Sequence, residues 1–156
     1  MERKLTSAEY ESLAELRYQI RRFLHFSEQA SREAGVEPHQ HQLMLALKGM
    51  PPQARPRIRD LAERLQIRHH SAVELVNRLS AGGYVRRHRG GEDGREVLLS
   101  LTPKGEKVLR ELSLHHRAEL RMRGPALIAA LRRVIQTSKK KNDVPMRTVS
   151  RARRKN

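Results

Sequence analysis

A mainly α-helical fold with one small β-hairpin is what this sequence predicts, and three observations carry the prediction. Between residues 58 and 79, two short apolar stripes recur at helical spacing with only a brief gap between them. Gly82-Gly83 follows, the residue type that ends helices by supplying a positive φ. Two strand-like runs then flank a turn of Gly90, Gly91, Glu92, Asp93 and Gly94.

Taken in order, Thr6-Ser7-Ala8-Glu9 reads as a capping box that opens a helix over residues 7–35. Leu13, Leu16, Ile20, Phe23, Leu24 and Ser27 form its stripe, and Gly35 stops it. Pro38 suits the first position of a second helix, which bears Leu43, Met44 and Leu47 and ends near Gly49. Met50 to Arg57, with Pro51, Pro52 and Pro56, is a stiff connector. Ile58, Leu61, Ala62 and Leu65 mark a third helix, and Ala72, Leu75, Val76 and Leu79 a fourth. The link Gln66-Ile67-Arg68-His69 is too short for anything but a tight turn, so the pair buries its stripes at a steep angle as a helix-turn-helix. The hairpin runs from Tyr84 to His88 and returns from Arg95 to Leu101, which makes residues 38–102 a winged helix-turn-helix. Thr102 and Pro103 open a fifth helix with Val108, Leu109, Leu112, His116 and Leu120 on one face. Gly124-Pro125 is expected to break it, and a sixth helix with Leu127, Ile128, Leu131, Val134 and Ile135 follows.

Helices over 7–35 and 103–136 carry more apolar surface than a small winged domain can cover, so they are expected to form a dimerisation platform with a second copy. The periodic chain thus spans residues 1–136. From Thr137 the pattern stops, and residues 137–156 read as a disordered basic tail.

Five segments stand in a telling order: Leu61-Ala62-Glu63-Arg64-Leu65, Val76-Asn77-Arg78-Leu79, Gly83-Tyr84-Val85, Asp93-Gly94-Arg95 and Leu101-Thr102-Pro103-Lys104-Gly105. Together they resemble the multiple antibiotic resistance regulator (MarR) family of bacterial transcription factors, from about Ser7 to Ile135. The resemblance implies an obligate homodimer that binds a short palindromic operator in double-stranded DNA near a promoter, usually as a repressor. Release by a small ligand or an oxidant is often implied too, but the chain has no cysteine and therefore no thiol sensor. The connector at residues 50–57 is longer than the family usually has.

The exposed side of the fourth helix carries Arg68, His69, His70, Ser71, Glu74 and Arg78, and the first half of a recognition helix is what reaches base edges. His70, Ser71 and Glu74 are the expected base readers, with Arg78 on phosphate. Arg68 stands where the family commonly has a capping Ser, Thr or Asp. An arginine offers no acceptor, so Arg68 reaches phosphate, or the helix starts later with Ser71 as its cap. In the wing, Arg95 fits a minor groove and Arg86, Arg87 and Arg89 fit phosphates; for Arg89, a solvated hairpin charge serves equally. The resemblance implies that Asp93 orients the wing through neighbouring basic groups.

The same resemblance implies a pocket between platform and winged domain, lined by Phe23, His39, His41, His115 and His116, polar enough to take a small or anionic ligand. A zinc-responsive variant would draw on His39, His41, His115, His116 and Glu119. Neither histidine pair has the His-x-x-x-His spacing, however, so no metal and no other cofactor is expected. No nucleophile, phosphate loop or carboxylate pair supports an enzyme.

Charge agrees. The chain carries +16, and residues 49–103 contain ten arginines and no lysine, a bias that suits bidentate contact with guanines and phosphates. Residues 137–156 hold eight basic groups and one acid, a net +7. The expected function is a ligand-released, sequence-specific transcription regulator, cytoplasmic and associated with the bacterial nucleoid. The alternative from another class is a low-specificity architectural DNA binder using wing and tail. No membrane association is expected, because no apolar run approaches the ~18 residues of a spanning helix.

Overall fold

In the computed structural model, residues 4–90 and 95–139 are described. Its elements are α1 (Ser7–Glu33), α2 (Pro38–Lys48), α3 (Ile58–Leu65), α4 (His69–Ala81), β1 (Val85–Gly90), β2 (Glu96–Leu101) and α5 (Pro103–Lys139). The described residues divide into two compact bodies, one within 22–122 and one from 4–21 with 123–139.

The body of residues 22–122 holds the main core. Val36, Leu43, Met44, Leu47, Leu61, Leu75, Val76, Leu79, Val85, Leu99 and Leu109 form one buried cluster, so the stripes read for α2, α3 and α4 point inward, whereas Leu24 of the first stripe and Leu120 of the fifth are exposed. β1 and β2 pair antiparallel with Val85 opposite Leu101 and Arg87 opposite Leu99. The Leu99 N–H lies outside that ladder and donates to the Pro56 carbonyl at 3.0 Å, tying the proline connector to the back of the wing.

Several helix ends follow their sequence signals, and one in the helix-turn-helix does not. Thr6 and Glu9 exchange the two bonds of a capping box, at 2.8 and 3.3 Å. Gln40 accepts from the Glu37 N–H at 3.1 Å, a second capping box that the sequence reading did not find, with Pro38 at the first turn as expected. Gly83 takes φ +74 after α4. The exception is Gln66, which ends α3 at φ 57 although it is not a glycine.

The break expected at Gly124-Pro125 does not occur, since α5 continues from Pro103 through Pro125 to Lys139. A proline lacks one backbone donor but can sit within a long helix whose remaining bonds and packing outweigh that loss. Residues 137–139, expected in a disordered tail, are the last residues of this helix. Residues 140–156 lie outside the described residues. In the smaller body, Glu9, Ser12 and Ala130 are buried, while Leu13, Ile128, Leu131 and Ile135 are exposed.

Candidate nucleic-acid interface

The α4 helix begins at His69 with Arg68 at its N-cap, and no side chain caps it, so the alternative in which Ser71 starts the helix is excluded. Ala72, Leu75, Val76 and Leu79 are buried, whereas Arg68, His69, His70, Glu74, Asn77 and Arg78 are exposed and Ser71 is half-buried. Residues 70, 74, 77 and 78 recur at helical spacing, so they share one outward face. That face is polar, mixed in sign and open.

Two contacts anchor its lower half. Arg87 Nη2 donates to Asn77 Oδ1 at 2.7 Å. Arg87 lies opposite the buried Leu99 in the hairpin register, and directly opposed residues share a sheet face, so its stem starts on the inner face before reaching the rim of α4. Arg87 therefore ties wing to recognition helix, a role not read from the sequence. Arg78 Nη1 donates to Glu37 Oε2 at 3.0 Å, so this residue expected on phosphate is ion-paired in the free protein. Arg86 Nε donates to Ser100 Oγ at 3.1 Å, while Arg89 and Arg95 are exposed. Asp93 lies outside the described residues.

Four further residues build the wing's base. Arg57 donates to both carboxylate oxygens of Asp60, at 2.7 and 3.3 Å, and to Glu96 Oε1 at 3.2 Å, while Arg55 takes Glu96 Oε2 at 2.6 Å. Hydrogen bonding from the Arg57 guanidinium holds the Asp60 carboxyl below the usual carboxylate range. These arginines brace the connector against β2. The sequence showed the arginine excess but could not divide structural from exposed members.

The residues Thr102, Lys104 and Gly105 explain why their motif follows the glycine pair. Thr102 Oγ1 donates to the Gly83 carbonyl at 2.6 Å and accepts from the Gly105 N–H at 3.1 Å, and Lys104 Nζ reaches the Gly82 carbonyl at 2.7 Å. The Tyr84 carbonyl sits against Gly105, where a Cβ would collide with backbone. The start of α5 is thereby stapled to the end of α4.

The expected pocket residues separate into three places. His41 is buried, its ring 4.8 Å from that of His116, with Phe23 and Phe26 edge-on to His116. His116 Nδ1 contacts the Leu112 carbonyl at 2.6 Å and Nε2 the Ser27 hydroxyl at 2.7 Å. A carbonyl only accepts, so Nδ1 carries a proton, and the Ser27 hydroxyl donates to Nε2 when the ring is neutral and accepts from it when the ring is charged. His115 lines a separate open groove of about 370 Å³ between α1 and α5, with Phe26, Glu33, Glu119 and Met122. His39 is exposed and belongs to neither. Among the described residues, no three His, Cys, Asp or Glu side chains gather as a metal-ion ligand set. His39, His41, His115, His116 and Glu119 are therefore not brought together for zinc. The groove's charged lining is acidic, which does not suit the anionic ligand expected from the sequence. Among the described residues, no helix is long and apolar enough to cross a membrane.

Residues 34–96 match the model of the MarR family. Among solved structures, the chain is similar to AbsC, a MarR family transcriptional regulator from Streptomyces coelicolor. Identity is 22%, coverage 90% of this chain and 96% of that one, and the TM-score 0.69. It is also similar to Sco3205, a MarR family transcriptional regulator from the same organism in complex with DNA, at 22% identity, 90% and 91% coverage and a TM-score of 0.67. A third is a point mutant of S. aureus MepR bound to an oligodeoxyribonucleotide, at 17% identity, 87% and 100% coverage and a TM-score of 0.61. No curated protein sequence matches the chain.

Proposed function

We propose that this chain, whose residues 34–96 match the MarR family model, is a sequence-specific, double-stranded DNA-binding transcription regulator of that family. It acts as a homodimer on a palindromic operator in the bacterial cytoplasm, represses transcription, and is released by a small ligand. The observation that carries the reading is the outward face of α4, where His70 and Glu74 stand exposed beside a hairpin that presents Arg86, Arg89 and Arg95. Electrostatic attraction alone would need only cations. A face with imidazole and carboxylate side by side can accept from some base edges and donate to others. The exposed apolar residues on α1 and α5 support the dimer. Phe23, His41 and His116, together with the groove at His115, support an effector seat. Glu33 and Glu119 favour a neutral or cationic molecule there.

Selection of binding sites from a random duplex pool tests the reading. A single enriched inverted repeat, held over random duplex by about 10³-fold or more at physiological salt, is expected. No enrichment, with tight binding to every duplex, would instead mark an architectural DNA binder.

A further inference from the structure

Glu37 never faces the expected base readers, yet it holds one of the cations beside them. Arg78 lies one turn beyond Glu74 on the exposed face of α4, and its guanidinium ends on the Glu37 carboxylate at 3.0 Å. The two partners are unequal. Glu37 is fixed at the N-cap of α2, where its side chain faces the Gln40 backbone and the Gln40 side chain returns to its N–H. Arg78 is a long side chain on a neighbouring helix and uses one of its five N–H donors in this contact.

Both side chains are more than half exposed, so their ion pair is individually weak and screened by salt. A phosphate offers the same guanidinium a bidentate, charge-assisted partner. DNA can therefore take Arg78 from Glu37, but only by undoing an existing contact while a fixed carboxylate remains within a Debye length of the backbone. Whichever way Arg78 turns, Glu37 subtracts from its contribution.

We propose that Glu37 sets the DNA affinity of this protein by competing with backbone phosphate for the Arg78 guanidinium. The inference rests on the reading of α4 as the DNA-facing helix. It makes the start of α2, outside the helix-turn-helix proper, an affinity-determining part of the interface. Because phosphates carry no sequence, the effect falls equally on preferred and random duplexes.

Glu37→Gln removes the charge and keeps a side-chain acceptor for the cap. Glu37→Asp keeps both charge and cap but is one methylene too short to hold Arg78 as well. Full-length protein would be titrated by fluorescence anisotropy on its selected duplex and on a random duplex across a salt series, alone and in the Arg78→Ala background. Glu37→Gln is expected to bind both duplexes about three- to fivefold more tightly, the range an ion pair this exposed can withhold. Its salt slope should steepen by up to about 0.9 per phosphate gained. Glu37→Asp should show a smaller gain of the same kind, and Arg78→Ala should abolish both. Equal gains for Glu37→Gln with and without Arg78 would assign the effect to net charge and overturn the proposal, as would no gain for Glu37→Gln or Glu37→Asp. Wild-type affinity in Arg78→Ala would overturn the proposal while leaving the DNA-binding reading intact. Failure of wild type to bind any duplex would overturn both.

Discussion

The two ring nitrogens of His41 lie buried without a hydrogen-bond partner among the described residues, and burial together with the neighbouring His116 lowers its pKa from 6.5 to about 4. His41 is therefore neutral near pH 7. In the unfolded chain it takes up a proton below about 6.5, whereas the folded protein resists until about 4, so stability present above pH 6.5 is lost as pH falls through that window. The full loss would be about 3 kcal/mol per chain, at about 1.4 kcal/mol per pKa unit. Urea midpoints at pH 7.5 and pH 5 should diverge in wild type and converge in His41→Phe; equal pH dependence in both would assign the acid sensitivity elsewhere. The proposed base readers belong to the same scale. Alanine at His70, Ser71 or Glu74 should relax preference at particular operator positions by about 1 to 3 kcal/mol, whereas Arg86→Ala should weaken all sequences alike. Binding-site selection with each variant decides between them, and unchanged profiles for all three helix variants would reject the assignment. Much of this face was legible, because Ala72, Leu75, Val76 and Leu79 fix which side of α4 is inward. The histidines were less so. His39 and His41 differ by two residues and stand on opposite sides of α2, but periodicity alone does not say which side meets His116.

Among the elements, the joint between α4 and α5 depends on close backbone approach rather than on side-chain packing. Gly105 lies against the Tyr84 carbonyl, so Gly105→Ala must push α5 away from the Thr102 and Lys104 bonds to Gly83 and Gly82. An overpacking cost of about 1 to 3 kcal/mol is expected, read as a lowered Tm; an unchanged Tm would show that the joint can shift freely. The motif around Gly105 was visible in the sequence and its mechanical reason was not, since a contact with Tyr84, twenty-one positions earlier, leaves no local trace. Pro125 misled for the opposite reason. Local chemistry favours a break there, but Ala126-Leu127-Ile128-Ala129-Ala130-Leu131 consists largely of good helix formers, and Ala130 is buried, which holds the helix through the proline. Gln66 ends α3 in a left-handed conformation without the glycine or asparagine that would have announced it.

For the whole molecule, the side chains of Leu13, Ile128, Leu131 and Ile135 are among the apolar ones that a single chain leaves open to water. Replacing Ile128 and Leu131 together by Glu should leave residues 22–122 folded, yield monomers by light scattering and abolish operator binding. A dimer that persists would place the interface elsewhere. The basic residues of 140–156 bear on the same scale, because added cationic charge can make phosphate contacts without adding base readout. Protein ending at residue 139 should keep its preferred sequence, bind specific and random DNA more weakly, and lose about 0.9 of salt slope for every phosphate contact given up. Equal slopes would remove this segment from the DNA surface. Element order up to α5 and the apolar faces of α2 to α4 were readable here because they are local and periodic. The division into bodies of residues 22–122 and the remainder was not, since it cuts α1 and α5 in mid-helix, where no compositional change marks it.

The bond from Leu99 to the Pro56 carbonyl has a consequence for how the winged body opens in time. The Leu99 amide is buried and held by the connector rather than by its hairpin partner, so separating β1 from β2 does not expose it. Its deuterium uptake should follow the slow unfolding of the body of residues 22–122, while neighbouring amides of the hairpin exchange at the faster rate of fraying. Leu99 would then report on the stability of that body, and a bound duplex that stiffened only the hairpin would leave its rate unaltered.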